Sequence, residues 1–135
     1  MTKTYQLSGG DKKMDINWKS VIIGFILAVI LAYILRLIAG EIGGYIGFLL
    51  ATIYVGYSVG GDYMNGAIHG ALVGVIGGII EIIIALIMVS VMGGDLIMGI
   101  IGSIMLLILS IIIYAIIGGI GGAIGTGVKG RDQLN

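Results

Sequence analysis

The chain has 135 residues, of which 59% are hydrophobic and only 10% are charged, and its formal net charge is zero. Soluble domains are about 45–50% apolar and about 25% charged, and a soluble chain of this length does not bury so much apolar surface. The zero net charge offers no excess for binding nucleic acid, and the absence of cysteine excludes thiol catalysis, disulfides and cysteine-based metal sites. The composition indicates an integral membrane protein.

The N-terminal segment, residues 1–17, is polar, and we interpret it as a cytoplasmic tail. Asn17 at its end is placed to cap the first helix. Trp18 and Lys19 follow and form an aromatic and basic anchor of the kind found at membrane interfaces. We therefore expect the first helix to enter the membrane at this point.

Four apolar runs follow, over about residues 19–40, 42–61, 67–92 and 96–122. Each has about the 20 residues that a helix needs to cross about 30 Å of hydrocarbon. The runs are continuous rather than alternating, which argues against a lipid-facing barrel. Short turns separate them at Glu41, at residues 62–66 and at residues 93–95. We therefore predict an all-α fold, a four-helix transmembrane bundle in one domain over residues 18–125, with a C-terminal cytoplasmic tail over residues 126–135.

The basic residues predict the orientation. Lysines precede the first run, and Lys129 and Arg131 follow the last, whereas the opposite side offers only Arg36 beside the acidic Glu41 and Asp95. By the positive-inside tendency both termini are cytoplasmic, as an even number of spans requires. We expect a multi-pass protein of the plasma membrane.

Glycine is abundant, at 26 residues, while proline is absent, which suits straight helices in close contact. Four glycines spaced by four form one stripe along the third run, a glycine zipper: Gly66, Gly70, Gly74 and Gly78. The same spacing recurs in the second and fourth runs at Gly43, Gly47, Gly56, Gly60, Gly118 and Gly122. The stripes indicate either a pore or subunit interface, or packing within one bundle, and we favour packing.

Glu81 lies near the middle of the third run and shares the face of Gly74 and Gly78. A carboxylate at this depth is costly unless it is neutral or paired, and such residues often mark ion or proton paths. Arg36 lies one turn from the end of its run and is placed either to reach Glu41 at the interface or to turn inward. The depths of Arg36 and Glu81 along their helices are similar, and we hypothesise that they form an intramembrane ion pair.

His69 and Asp62 lie near the cytoplasmic edge and are interpreted as interface residues. The sequence contains no further residues that would complete a metal site with His69, and we expect no metal and no cofactor. Residues 125–130 match the dinucleotide fingerprint G-x-G-x-x-G, but they follow a membrane span instead of a strand. We therefore expect no nucleotide, no nucleic acid and no enzymatic activity.

Two stretches carry a resemblance to a known family: Ile16 to Gly24, and Tyr54 to Ala71 with its Gly-Gly-Asp turn followed by Gly-Ala-Ile-His-Gly. They resemble a family of small four-span membrane proteins found mainly in archaea, including methanogens, without an assigned activity. The resemblance covers most of the chain from Asp15 onward. It implies a fold and an archaeal cell, and it assigns no role to any residue.

The dense glycine faces and the lack of catalytic groups favour a structural or accessory membrane protein. It would be surrounded by membrane lipids and would form a homo-oligomer or pack as a small subunit of a larger membrane complex. The alternative is a proton or cation conductor that uses the intramembrane carboxylate Glu81.

Overall fold

The computed structural model describes residues 15–134, which form three long helices. Helix α1 runs over Trp18–Val59, α2 over Tyr63–Val91 and α3 over Leu96–Leu134. All three are long and apolar enough to cross a membrane, judged by length and composition. The protein is therefore all-helical and compatible with a membrane location.

Helix α1 is interrupted near its middle. Ala39 (φ −125°, ψ 16°) and Gly40 (φ 66°, ψ −149°) leave the helical region, and the conformation of Gly40 is one that essentially only glycine adopts. A Cβ atom on Gly47 would lie 2.5 Å from the carbonyl carbon of Leu31, although 16 residues of continuous helix would separate the two by about 24 Å. The two halves of α1, residues 18–38 and 41–59, therefore fold back against each other. The break lies beside Glu41, where the sequence predicts a turn.

The N-terminal end of α1 is capped as the sequence predicts, because the Asn17 side chain accepts a hydrogen bond from the backbone N–H of Ser20 at 3.1 Å. The connection to α2 is shorter than the turn predicted over residues 62–66. Gly60 ends α1 in a glycine-only conformation (φ 65°, ψ −156°), and Asp62 caps α2 by accepting from the N–H of Asn65 at 2.8 Å. Gly60, expected on a packing face, thus also ends α1.

Helix α3 continues through the segment predicted as a C-terminal tail, as far as Leu134. This segment is held against the end of α1. The hydroxyl of Tyr57 donates to Asp132 at 3.0 Å, and the ammonium group of Lys129 donates to the carbonyl of Ser58 at 3.4 Å. The part of the predicted tail that the structure describes is therefore helical, and two side-chain contacts join it to α1 although most of its residues are exposed.

The bundle has two unlike halves. The terminal half, next to Trp18, Asp62 and Leu134, contains most of the buried residues: those of α2 end at Gly78, and those of α3 begin at Gly118. The far half, next to the break in α1 and the turn at residues 92–95, is open and exposes many large aliphatic side chains. Exposed aliphatic surface on this scale is compatible with lipid contact.

Candidate functional site

Glycines bring α2 and α3 into direct backbone contact in the terminal half. A Cβ atom on Gly70 would overlap the carbonyl group of Gly118, and one on Gly66 would overlap the carbonyl oxygen of Gly122. A Cβ atom on Gly74 would lie 2.5 Å from the carbonyl carbon of Tyr114. These neighbours are backbone atoms, which cannot rotate away. The predicted stripe on α2 therefore faces another helix of the same chain.

The second half of α1 meets α3 in the same way. Gly56 faces the backbone of Gly122, and Gly125 faces the backbone of Ile53 and Tyr57. Gly122 thus lies between α1 and α2 and contacts both. The other predicted pair, Gly43 and Gly47, packs against the first half of α1, at Leu35 and Leu31.

The close contact ends beyond Gly74. A Cβ atom on Gly78 would meet the side chain of Ile111 at 2.8 Å, and neither Gly77 nor Gly102 has another atom within 4 Å of its Cβ position. Along this part of α3, larger side chains replace glycine at the positions that face α2, and they hold α2 and α3 apart. The far half consequently contains open clefts.

Glu81 lines two of these clefts, with volumes of about 450 Å³ and about 270 Å³. Both clefts also share Ala85 and Tyr114, so they meet at the carboxylate. The larger cleft lies between α1 and α2 and includes Phe25 and Arg36, and the smaller lies between α2 and α3. Because Glu81 shares a helix face with the glycines, the sequence predicts that it is packed against a neighbouring helix. In the structure it is exposed to the clefts instead. The helices are farther apart at Glu81 because larger side chains replace glycine beyond Gly78.

Arg36 is paired with Glu41. Its Nε donates to one carboxylate oxygen at 3.1 Å, and a second contact joins its terminal nitrogen to the other oxygen. Between residues 15 and 134 this is the only salt bridge, so the hypothesised pair with Glu81 is not formed. The break at Ala39 and Gly40 turns the chain back and presents Glu41 to Arg36 five residues away. This pairing is the interface alternative that the sequence left open.

Aromatic rings surround the clefts. The ring of Tyr114 lies 5.0 Å from Phe48 in an edge-to-face arrangement and 6.0 Å from Tyr45, measured between centroids. Tyr114 and Phe48 line the larger cleft, and Tyr114 and Tyr45 line the smaller. The carboxylate of Glu81 therefore shares its clefts with an aromatic cluster.

His69 lies in the terminal half, as Asp62 does, and its side chain is fully buried there. Its place at a membrane interface stays a prediction. Its Nε2 accepts a hydrogen bond from the backbone N–H of Asn17 at 2.8 Å, and its Nδ1 lies 2.7 Å from the carbonyl oxygen of Asn65. Because a backbone N–H can only donate, Nε2 carries no proton, and Nδ1 donates to Asn65. His69 thus joins the start of α1 to α2. The four-residue spacing of Asn65 and His69 was the available signal, but the contact with Asn17 is tertiary.

The other predicted interface residues, Trp18, Lys19 and Asp62, are exposed at the terminal end. Among the described residues, no group of three or more histidine, cysteine or acidic side chains is close enough to hold a metal ion. The structure therefore brings together the glycines with one another and Glu81 with an aromatic cluster, and it keeps His69 apart from both.

The model of the DUF5518 family, a family of unknown function, matches residues 18–128. The chain belongs to this family. The match covers all of α1 and α2 and most of α3, including the glycine contacts and Glu81. No curated protein and no solved structure matches the chain.

Proposed function

We propose that this member of the DUF5518 family is a non-enzymatic protein that crosses the plasma membrane four times, with both termini in the cytoplasm. The break in α1 supports four crossings, because each half has about the 20 residues that one crossing needs. The basic flanks support the orientation. The sequence resemblance supports an archaeal cell.

A direct test of topology uses the lack of native cysteine. A single cysteine in place of Gly94, in the turn before α3, should react with an impermeant thiol reagent in intact cells. One in place of Gln133 should react only after the membrane is opened. Labelling of both positions, or of Gln133 alone, in intact cells contradicts four crossings with cytoplasmic termini.

Within the membrane, the role that the geometry supports best is structural or accessory, as a homo-oligomer or as a small subunit of a larger complex. The contrast between the two halves of the bundle carries this proposal. The terminal half uses its glycines for contacts inside the chain, at Gly70 with Gly118 and at Gly56 with Gly122. The far half leaves Gly77 and Gly102 uncovered, and open clefts separate its helices. A second membrane component would cover this half.

Cross-linking in native membranes tests this role. A cysteine in place of Gly102, in the open half, should form a cross-link either to a second copy or to a partner of defined mass. A cysteine in place of Ile120, which is 54% exposed but lies beside the packed half, serves as the control. Protein that stays monomeric at both positions contradicts the accessory role.

A second candidate, a proton or cation conductor, is favoured by one observation. Glu81 lines two clefts and makes no salt bridge to any residue that the structure describes. A carboxylate without an internal partner at membrane depth is the kind of group that ion paths use. Purified protein in liposomes should then pass protons or sodium ions, and Glu81→Gln should abolish the flux. Asp95→Asn, which removes the same charge at the turn before α3, should leave it unchanged.

A further inference from the structure

Glu81 lines two clefts and has no salt-bridge partner among the described residues. Three ionisable side chains of opposite sign, Arg36, Glu41 and Glu81, line these clefts or an adjoining one. Arg36 is paired with Glu41 through two contacts, so Glu81 is the one left without a partner. A singly charged cation is therefore the occupant that would supply the partner that Glu81 lacks.

The walls of the clefts define the rest of the occupant. Beside the carboxylate, the larger cleft is lined mainly by aliphatic side chains and by the rings of Phe25, Phe48 and Tyr114. Its volume of about 450 Å³ falls in the range of about 300–1,000 Å³ that is typical of small-molecule sites. Apolar walls with a small number of placed polar groups are the usual composition of such sites, and here those groups are Glu81 and Arg36, the latter paired with Glu41.

The aromatic cluster distinguishes an organic cation from a metal ion. Calcium takes six to eight oxygen ligands and magnesium about six, and no acidic cluster of the described residues could supply them. Organic ammonium and phosphonium groups instead bind against aromatic faces, which attract the cation through their quadrupole. Tyr114 lines both clefts together with Glu81 and offers such a ring, and Phe48 supports it in an edge-to-face contact with centroids 5.0 Å apart.

We infer that the clefts at Glu81 form a binding site for a lipophilic organic cation of single charge. Glu81 supplies the counter-charge, the ring of Tyr114 contacts the cationic group, and the aliphatic walls enclose its apolar body. The clefts are open at the side of the bundle, so the occupant reaches them from the lipid. The inference uses the same free carboxylate as the conductor proposal but requires neither flux nor a particular oligomeric state.

Tetraphenylphosphonium is the probe for this site. The full-length protein in lipid nanodiscs should bind it saturably above the background of empty nanodiscs. Tetraphenylborate, an anion of nearly the same shape, should show no saturable binding. Glu81→Gln should weaken tetraphenylphosphonium binding by at least about tenfold, equivalent to about 1.4 kcal/mol. Asp95→Asn is the matched control, because it removes one negative charge outside the clefts and asparagine still caps α3.

The pairing of Arg36 with Glu41 allows a second and sharper binding experiment. Glu41→Gln should also weaken binding, because the freed guanidinium compensates Glu81 within the shared cleft. The double variant Arg36→Gln with Glu41→Gln should restore binding to within about threefold of wild type, since Glu81 is again the uncompensated charge. A site that used Glu41 itself would not recover in the double variant.

Absence of saturable binding to folded wild-type protein overturns the inference, as does equal binding by wild type and Glu81→Gln. If Glu81→Gln fails to fold, the Glu41 variant and the double variant decide the outcome. Saturable binding without ion flux supports the binding site and contradicts the conductor proposal. Ion flux that depends on Glu81, without saturable binding, supports the conductor proposal and contradicts the binding site.

Discussion

One of the closest backbone contacts between the helices predicts a measurable loss of stability for a very small substitution. Gly70 on α2 lies against the backbone of Gly118 on α3, and a methyl group in its place would overlap the carbonyl oxygen of Gly118. The carbonyl carbon of Gly118 would lie at 2.8 Å and the backbone nitrogen of Gly122 at 3.1 Å. All of these neighbours are backbone atoms, so Gly70→Ala can be accommodated only if the two helices move apart.

The magnitude follows from comparison with Gly77→Ala on the same helix. Both changes replace glycine by alanine in the interior of a helix, which favours the helix by about 1 kcal/mol. Gly77 has no atom within 4 Å of its Cβ position, so this gain stands alone there. At Gly70 the overlap opposes it, and overpacking typically costs about 1–3 kcal/mol. The propensity gain cancels in the comparison, and Gly70→Ala should be less stable than Gly77→Ala by about 1–3 kcal/mol.

Thermal unfolding of the two variants in the same detergent measures this difference. For a domain of this size 1 kcal/mol shifts the midpoint by about 4 °C, so the two midpoints should differ by about 4–12 °C. Wild type should lie about 4 °C below Gly77→Ala, either between the variants or close to Gly70→Ala. Equal midpoints for the two variants would refute the direct contact between α2 and α3 at Gly70.

Three further predictions use the same unfolding assay. His69→Phe keeps the volume of the side chain but loses the hydrogen bonds to Asn17 and Asn65, and it should cost about 1–3 kcal/mol, whereas an unchanged midpoint would contradict the buried link. In Gly40→Ala the new methyl group has free space, but the backbone at this position adopts a conformation that only glycine favours. The change should therefore lower the stability by about 1–3 kcal/mol, and an unchanged midpoint would mean that α1 does not break there. Glu81→Gln should change the stability by less than about 1 kcal/mol, because the carboxylate lies in a cleft without a partner, and a loss of about 3–5 kcal/mol would instead support the ion pair with Arg36.

The local features of the fold were predictable because they depend on neighbouring residues. Continuous apolar runs predict long helices whatever their partners are, and a side chain such as Asn17 caps the helix that follows it directly. The break at Ala39 and Gly40 was marked by a glycine next to Glu41 at the end of the first apolar run. Helix ends were less predictable. Helix α3 extends to Leu134, where Lys129 and Asp132 contact the end of α1, and such tertiary contacts leave no mark in the local sequence.

The helical class, the length of each apolar segment and the spacing of the glycines could all be read from the amino-acid sequence. These are properties of one segment at a time, and they follow from helix geometry and from the cost of exposing backbone polar groups to lipid. The packing of the helices sets what each glycine faces, the pairing of Arg36 with Glu41, the burial of His69 against Asn17 and the position of Glu81 in a cleft. The physical reason is that a helical periodicity defines a face but not its partner. The partner depends on where the helices approach closely and where larger side chains hold them apart.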